Sequence, residues 1–234
     1  MSQNHNYLSR VRVLIFDLDG TLIDSKLDLA LSINAMLEYM GRAPVAHETI
    51  YGFVGNGAPI LVRRSLTEGV AAEITDAEAD RGLAYFLSYY RAHMLDNTVA
   101  YPGVREGLTL LAEHPMAVLT NKPVNFSRAI LDGLDLSRYF QYVYGGNSFE
   151  KKKPDPMGVH ILLQDLNASP AEAMMIGDSD VDVRTARNAG IWACGVTYGL
   201  GIEGLRTNLP DLLVDSLTDL PSHLKGSERS SEKQ

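Results

Sequence analysis

Short, largely apolar segments recur along the chain, and they restrict its fold more than any other feature of the sequence. Five of them are rich in Val, Ile, Leu and Met, and each has the length of one strand: residues 11–16, 116–120, 141–146, 173–178 and 191–196. Strands that are buried on both faces lose the alternation of apolar and polar residues and are typical of parallel sheets. These segments predict an α/β protein with a doubly wound parallel sheet, to which residues 210–216 add a sixth, edge strand.

Helical patterns occupy the later intervals between these strands. Four of them are bounded by Gly, Pro or Asn at one end, and they cover residues 103–113, 124–134, 156–166 and 180–189. The repeated order of strand and helix is that of the βαβ units from which parallel sheets are built.

The interval after the first strand breaks this alternation and is mostly helical. Ser25-x-x-Asp28 has the form of a capping box and predicts the start of one long helix. Thr75-x-x-Glu78 predicts the start of a second, and residues 58–66 predict a shorter one. Large side chains recur at helical spacing in the two long helices, Phe86 and Tyr90 among them, which predicts the core of a helical bundle.

The chain is therefore predicted to consist of an α/β core into which an all-helical domain is inserted. The core is predicted at residues 1–24 and 98–224, the helical cap at residues 25–97, and a disordered polar tail at residues 225–234.

Composition excludes several classes of partner. The net charge of −8 argues against general nucleic-acid binding, which needs a basic face. No apolar run approaches the roughly 18 residues that span a membrane, and the N-terminal segment lacks the apolar centre of a signal peptide.

The single cysteine, Cys194, has no partner for an internal disulfide and is predicted to be a core residue. We expect a cytoplasmic protein, a monomer or homodimer, without nucleic-acid or membrane partners.

Polar residues follow three of the predicted strands at the point where each strand ends. Asp17 and Asp19 follow the first, Thr120 and Asn121 the second, and Asp178 a later one. In an open parallel sheet, ligands bind at the carboxyl ends of the strands, so these side chains are predicted to share one crevice. The two aspartates, which repel each other, are explained either by a cation such as Mg²⁺ or by protonation of one of them. The alternative is that they are turn residues, and that Thr120 and Asn121 cap a helix.

Further charged residues lie near the same predicted edge. Asp182 follows Asp178 in a second acidic cluster, for which the alternative is an ordinary acidic helix N-terminus. In the run of three lysines that ends at Lys153, the prolines Pro154 and Pro156 restrict the backbone, whereas such a run is otherwise a solvated loop. Together with Asp17 these residues suit phosphoryl transfer to a carboxylate nucleophile.

Four motifs occur in the chain in a fixed order: DLDGT (17–21), LTNK (119–122), KKPDP (152–156) and GDSDVD (177–182). They resemble the motifs of the haloacid dehalogenase superfamily. The segments FVGNGA in the predicted cap and GVTYGLG near the last strands are similar to those of the phosphoglycolate phosphatases within that superfamily.

The resemblance implies a role for each matching residue. Asp17 would be the nucleophile and Asp19 the general acid and base, while Lys153 would neutralise the charge of the nucleophile and of the phosphoryl group. Mg²⁺ would be bound by Asp17, the carbonyl oxygen of Asp19 and Asp178, with Asp182 binding it directly or supporting its ligands. The groups implied to bind phosphate or substrate are Thr120, Asn121, the cap loop Gly55, Asn56 and Gly57, and Arg63 or its neighbour Arg64; the alternative for the arginines is an exposed helix face.

The resemblance thus implies a Mg²⁺-dependent phosphatase of a small phosphorylated metabolite, with 2-phosphoglycolate as the expected substrate. Alternatives are a phosphosugar mutase, another phosphomonoesterase or a pyrophosphatase. From a different class, a non-hydrolytic phospho-accepting signalling module also uses Asp, Mg²⁺, Thr and Lys, but it is about half this length and has no cap.

Overall fold

The computed structural model describes residues 8–68 and 73–225. The tail predicted at residues 225–234 lies outside the described residues except for Lys225. Among the described residues, no helix combines the length and the apolar character that crossing a bilayer requires.

A parallel sheet of six strands forms the centre of the molecule, in the order β5-β4-β1-β6-β7-β8. Its strands are β1 (Val13–Phe16), β4 (Met116–Leu119), β5 (Tyr142–Tyr144), β6 (Ala173–Gly177), β7 (Trp192–Val196) and β8 (Leu212–Val214). The predicted doubly wound α/β fold is confirmed, and β8 is an edge strand as predicted.

Two apolar clusters cover the two faces of this sheet. Leu14 and Phe16 of β1 point into one cluster, and Val13 and Ile15 point into the other. Alternate residues of a strand lie on opposite faces, so a strand in the middle of a covered sheet must be apolar throughout. This explains why β1 and β6 are entirely buried. Cys194 of β7 is also buried, as predicted, and burial raises the pKa of its thiol to about 12.

Helices cover both faces of the sheet and form the insertion. Those of the insertion are α1 (Lys26–Tyr39), α2 (His47–Tyr51), α3 (Ala58–Thr67) and α4 (Asp76–His93). Those of the α/β core are α5 (Val104–Leu110), α6 (Val124–Gly133), α7 (Met157–Asp165), α8 (Asp180–Ala189), α9 (Ile202–Thr207) and α10 (Leu220–Leu224). The short helices α2, α9 and α10 are not predicted by the apolar periodicity, because each has fewer than two turns of pattern.

A two-stranded antiparallel ribbon connects the core to the insertion. Its strands are β2 (Ile23–Asp24) and β3 (Val99–Ala100), so the chain leaves and re-enters the core side by side. Two residues per strand are too few for a recognisable strand pattern, and the sequence does not predict this ribbon.

One of the two predicted capping boxes forms and the other does not. Thr75 and Glu78 make the reciprocal hydrogen bonds of a capping box at the start of α4. Ser25 makes no such bond, because its hydroxyl donates to the Asp19 carboxylate of the core instead. Asp28 is buried and accepts hydrogen bonds from the returning chain at Asn97 and Thr98, so the prediction of a box at Ser25 is wrong.

Candidate active site

The carboxyl ends of three adjacent strands bring the predicted catalytic residues together. Asp17 follows β1, Thr120 follows β4 and Asp178 follows β6. The order of the sheet places β1 between β4 and β6, and the Asp17 amide continues the ladder by donating to the Ile176 carbonyl at 2.9 Å. The crevice at this edge of the sheet is the position at which open α/β proteins bind ligands.

Asp17, Asp178 and Asp182 form a buried acidic cluster. One carboxylate oxygen from each lies within 4.8 Å of the others. Asp178 is oriented by the backbone N–H groups of Leu200 and Gly201, which donate to Oδ2 at 2.7 Å and 2.9 Å. Three carboxylates at this separation repel one another unless protons or cations reduce their charge.

Burial and this repulsion shift the pKa values of two members of the cluster. Burial is the main cause that raises the pKa of Asp17 to about 6, against the lowering effect of Lys153. Burial, followed by the charges of Asp182 and Asp17, raises the pKa of Asp178 to about 7. Removing carboxylates from water disfavours their charged form, and a bound cation would restore it.

The cluster has the composition of a site for a divalent cation. The Oδ1 atom of Asp17 is buried, and Lys153 Nζ contacts it at 2.8 Å. Gly20 has a positive φ of 86°, and a Cβ at this position would lie 2.3 Å from Asp178 Oδ2, so the backbone can pass this close only without a side chain. Carboxylate oxygens are the ligands that hard divalent cations prefer.

Lys153 lies between two of these carboxylates. Its Nζ is 2.8 Å from Asp17 Oδ1 and 2.6 Å from Asp182 Oδ1, and the side chain is buried. Burial by itself lowers the pKa of Lys153, but the two carboxylates raise it above its ordinary value. Asp182 is fully engaged, since its Oδ2 accepts from the Ser179 hydroxyl at 2.6 Å and from the Ser179 amide at 3.2 Å.

Asp19 points away from this cluster and has different partners. Its carboxylate accepts from the Ser25 hydroxyl at 2.5 Å and from Lys122 Nζ at 3.0 Å and 3.2 Å. The two aspartates of the DLDGT motif therefore contact separate cations, Lys153 for Asp17 and Lys122 for Asp19.

A cavity between the sheet and the helical insertion opens above these residues. Asp17, Asp19, Thr120 and Asn121 line its floor together with Lys122. Its walls are mostly apolar and come from both domains: Leu29, Leu61, Phe86, Leu87, Tyr90 and Phe126.

The cap loop predicted to bind substrate closes one side of this cavity. The carbonyl oxygen of Gly55 accepts from Asn121 Nδ2 at 3.0 Å, and the carbonyl oxygen of Asn56 accepts from Lys152 Nζ at 2.7 Å. Gly55 and Gly57 also line the cavity. The loop therefore lies against the segment that follows β4 and the segment that precedes α7.

Arg63 does not line this cavity. Its guanidinium pairs with Asp76 at 2.6 Å, about half of its side chain is exposed, and it is not part of the cavity lining. The sequence suggests Arg63 or Arg64 for a substrate carboxylate, with an exposed helix face as the alternative. However, the cavity side of α3 is formed by Ala58 and Leu61, and Arg63 lies on a different side of the helix.

Two residues of the site are not identified as functional by the sequence pattern. Ser25 appears there as a helix cap but holds Asp19, and Tyr90 appears as part of the bundle core but lines the cavity beside Lys122. The apolar residues at helical spacing in α4 predict that Tyr90 is buried. They do not indicate whether the cap or the core buries it.

Known proteins share both the sequence and the fold of this chain. A family model described as haloacid dehalogenase-like hydrolase matches residues 14–196. A phosphoglycolate phosphatase of Pseudomonas putida and one of Pseudomonas fluorescens are each 40% identical over 214 residues, which cover 89% of this chain and 78% of each relative. A crystal structure of a predicted phosphoglycolate phosphatase from Haemophilus somnus is 30% identical with a TM-score of 0.86, covering 91% of this chain and 97% of that one. The chain therefore belongs to the haloacid dehalogenase-like hydrolase family.

Proposed function

We propose that this protein is a Mg²⁺-dependent phosphatase that hydrolyses 2-phosphoglycolate to glycolate and phosphate. The observation that carries the proposal is the pairing of an acidic cluster with a separate aspartate at one cavity. Asp17 shares buried contacts with Lys153 and the cluster, whereas Asp19 faces Ser25 and Lys122. This division suits a nucleophile and a proton donor with different tasks.

In the first half of the reaction, a carboxylate oxygen of Asp17 attacks phosphorus, and the bond between phosphorus and the glycolate oxygen breaks. Protonated Asp19 gives its proton to the departing alkoxide, so that neutral glycolate hydroxyl leaves. The products are glycolate and an aspartyl-phosphate at Asp17. Thr120 and Asn121, which line the same cavity, are assigned to the phosphoryl oxygens.

In the second half, Asp19 takes a proton from a water molecule, which attacks phosphorus. The bond between phosphorus and Asp17 breaks, inorganic phosphate leaves, and the proton remains on Asp19 for the next cycle. Lys153 holds its charge next to Asp17 through both steps and reduces the repulsion between this carboxylate and the phosphoryl oxygens.

Mg²⁺ is assigned to Asp17, Asp178 and the carbonyl oxygen of Asp19, where it would offset the charge of the carboxylates and of the phosphoryl group. Asp182 is assigned to holding Lys153, because both of its oxygens already accept hydrogen bonds. Residues 25–97 are assigned to a cap that closes over the cavity and excludes water.

The choice of substrate is supported by two observations. The relatives from Pseudomonas are named phosphoglycolate phosphatases. The walls of the cavity are mostly apolar and contain few hydrogen-bonding side chains, which suits a small leaving group better than a sugar with several hydroxyls.

The proposal is tested by measuring phosphate release from 2-phosphoglycolate, pyrophosphate and a panel of phosphosugars, with Mg²⁺ and with EDTA. We expect Mg²⁺-dependent turnover, with the highest kcat/KM for 2-phosphoglycolate. A higher kcat/KM for a phosphosugar or for pyrophosphate would show that 2-phosphoglycolate is not the preferred substrate, while the proposed phosphatase reaction would stand. A stable phosphorylated protein without turnover would favour a signalling module, and no phosphate release from any ester would refute the phosphatase.

A further inference from the structure

We propose that Lys122 and Tyr90 form a subsite that binds the carboxylate of the substrate's leaving group. The subsite joins a lysine of the α/β core to a tyrosine of the cap, so it is complete only when the cap is closed. The proposal rests on the proposed function and adds to it the residues that select an acidic leaving group.

Lys122 supplies the positive charge in the lining of the cavity. Among the described residues that line the cavity, it is the one basic side chain, and it is only 6% exposed. Burial alone lowers the pKa of this amine, but the neighbouring Asp19 carboxylate raises the pKa above its ordinary value, so Lys122 remains charged. Its Nζ donates to both oxygens of Asp19 and lies beside Tyr90 of the cap.

Tyr90 presents a hydroxyl donor at the same place. The residue is 1% exposed, its hydroxyl oxygen faces the Lys122 ammonium, and among the described residues no acceptor receives its proton. Burial raises the pKa of Tyr90 to about 12, so that the hydroxyl is protonated and able to donate at neutral pH. A buried hydroxyl proton without an acceptor is destabilising, and a ligand that accepts its hydrogen bond would remove that cost.

The two groups are close together and face the same cavity. Lys122 Nζ lies 4.7 Å from the centre of the Tyr90 ring, and both residues line the cavity together with Asp17 and Asp19. The surrounding walls are apolar, and Phe126 packs edge-on against Tyr90 with ring centres 5.5 Å apart. A charged amine and a hydroxyl donor in an apolar wall suit a compact anion such as a carboxylate.

Lys122 is itself paired with Asp19, but three other basic side chains that form pairs in this part of the structure do not line the cavity. Lys153 pairs with Asp17 and Asp182 below the floor, and Lys152 donates to the Asn56 carbonyl of the cap loop. Arg63 pairs with Asp76 outside the cavity. Lys122 is therefore the positive charge that a leaving group attached to phosphorus at Asp17 would meet.

The test compares two esters that differ at one position. 2-Phosphoglycolate carries a carboxylate, and 2-hydroxyethyl phosphate has a neutral hydroxymethyl group in its place. Lys122→Met removes the charge, Tyr90→Phe removes only the hydroxyl, and Lys151→Met is the matched control because Lys151 is exposed and pairs with Asp155. We measure kcat and KM of each variant with both esters.

We expect Lys122→Met to lower the preference for 2-phosphoglycolate over the neutral ester by about 10- to 100-fold, the range for a lost charged hydrogen bond. Tyr90→Phe should lower that preference by about 3- to 10-fold. Lys151→Met should leave it unchanged. Equal losses with both esters would overturn the proposal and would assign Lys122 to positioning Asp19 alone.

A binding measurement keeps this test independent of turnover. In Asp17→Asn protein, which cannot be phosphorylated at residue 17, we measure the Kd of 2-phosphoglycolate and of inorganic phosphate by calorimetry. Adding Tyr90→Phe or Lys122→Met to this protein should raise the Kd of 2-phosphoglycolate and leave the Kd of inorganic phosphate unchanged. If the wild type hydrolyses no ester but this difference is found, the proposed reaction fails and the subsite stands. If the Kd values of both ligands rise equally, the proposed subsite is wrong.

Discussion

The Asp28 carboxylate accepts two hydrogen bonds from Thr98, from the amide at 2.8 Å and from the hydroxyl at 2.7 Å. Asp28 lies in the first helix after the chain leaves the core, and Thr98 lies just before the chain re-enters it. Asn97 donates two further bonds to the same carboxylate. These bonds tie the two connections together next to the β2–β3 ribbon and define the pivot about which the proposed cap would move.

Asp28→Ala is expected to lower the free energy of unfolding by about 3–5 kcal/mol. The change leaves the buried donors of Asn97 and Thr98 without their acceptor, and losing one side of a buried charged network has a cost of this order. Urea denaturation followed by circular dichroism measures the effect. Asp80→Ala, at an exposed position of α4, is the control and should change the stability by less than about 0.5 kcal/mol. A similar loss of stability in both variants would contradict a stabilising role for the hydrogen bonds between Asp28 and the returning chain.

Asp17→Asn is expected to reduce phosphate release by about 10⁴-fold or more, because an amide cannot replace the carboxylate nucleophile. The fold should be retained, since asparagine has the same size and removes one charge from a repelling cluster. Steady-state turnover is measured together with the far-ultraviolet circular dichroism spectrum. Turnover within tenfold of the wild type would exclude the aspartyl-phosphate route at this residue.

The metal-free protein is expected to become more stable as the pH falls from 8 to 6. The folded-state pKa values of Asp17 and Asp178 are raised to about 6 and about 7, above their ordinary value of 3.8. Because the folded state then binds protons that the unfolded state does not, lowering the pH through this window favours folding by about 1–2 kcal/mol. Thermal unfolding in EDTA at each pH measures this trend.

Asp178→Asn supplies the control for this pH dependence. Asparagine keeps an oxygen that can accept from the Leu200 and Gly201 amides but has no charge to lose, so most of the slope between pH 8 and pH 6 should disappear. Adding Mg²⁺ to the wild type should stabilise it most at pH 8, where the carboxylates are ionised. An unchanged slope in the variant would assign the pH dependence to other groups.

The sheet and the floor of the site are predictable because their patterns are local. β1 and β6 are buried on both faces, and this requirement is visible as uninterrupted apolar sequence before Asp17 and before Asp178. The convergence of these residues then follows from the rule that ligands bind at the carboxyl ends of parallel strands. No distant contact has to be known to place them.

The contacts between cap and core are not predictable in this way. Ser25 has the pattern of a helix cap, and only the approach of the DLDGT loop makes Asp19 a better acceptor for its hydroxyl. Tyr90 and Arg63 lie on neighbouring cap helices, and the packing of those helices decides that the tyrosine reaches Lys122 while the arginine meets Asp76. Such choices depend on the orientation of whole helices, which apolar periodicity does not specify.

Lys152→Met is expected to raise the KM for 2-phosphoglycolate by about 3- to 10-fold while kcat changes by less than about twofold. The Lys152 ammonium donates to the Asn56 carbonyl at 2.7 Å and so fastens the cap loop to the core. Without this bond, part of the binding energy of the substrate is used to close the cap, and the apparent affinity falls by the corresponding factor. Once the site is saturated, the closed state and its chemistry are the same. Steady-state kinetics measure both constants, and Lys151→Met, which changes charge equally at an exposed neighbour, should leave both unchanged. A lower kcat at unchanged KM would instead place Lys152 in the chemical step.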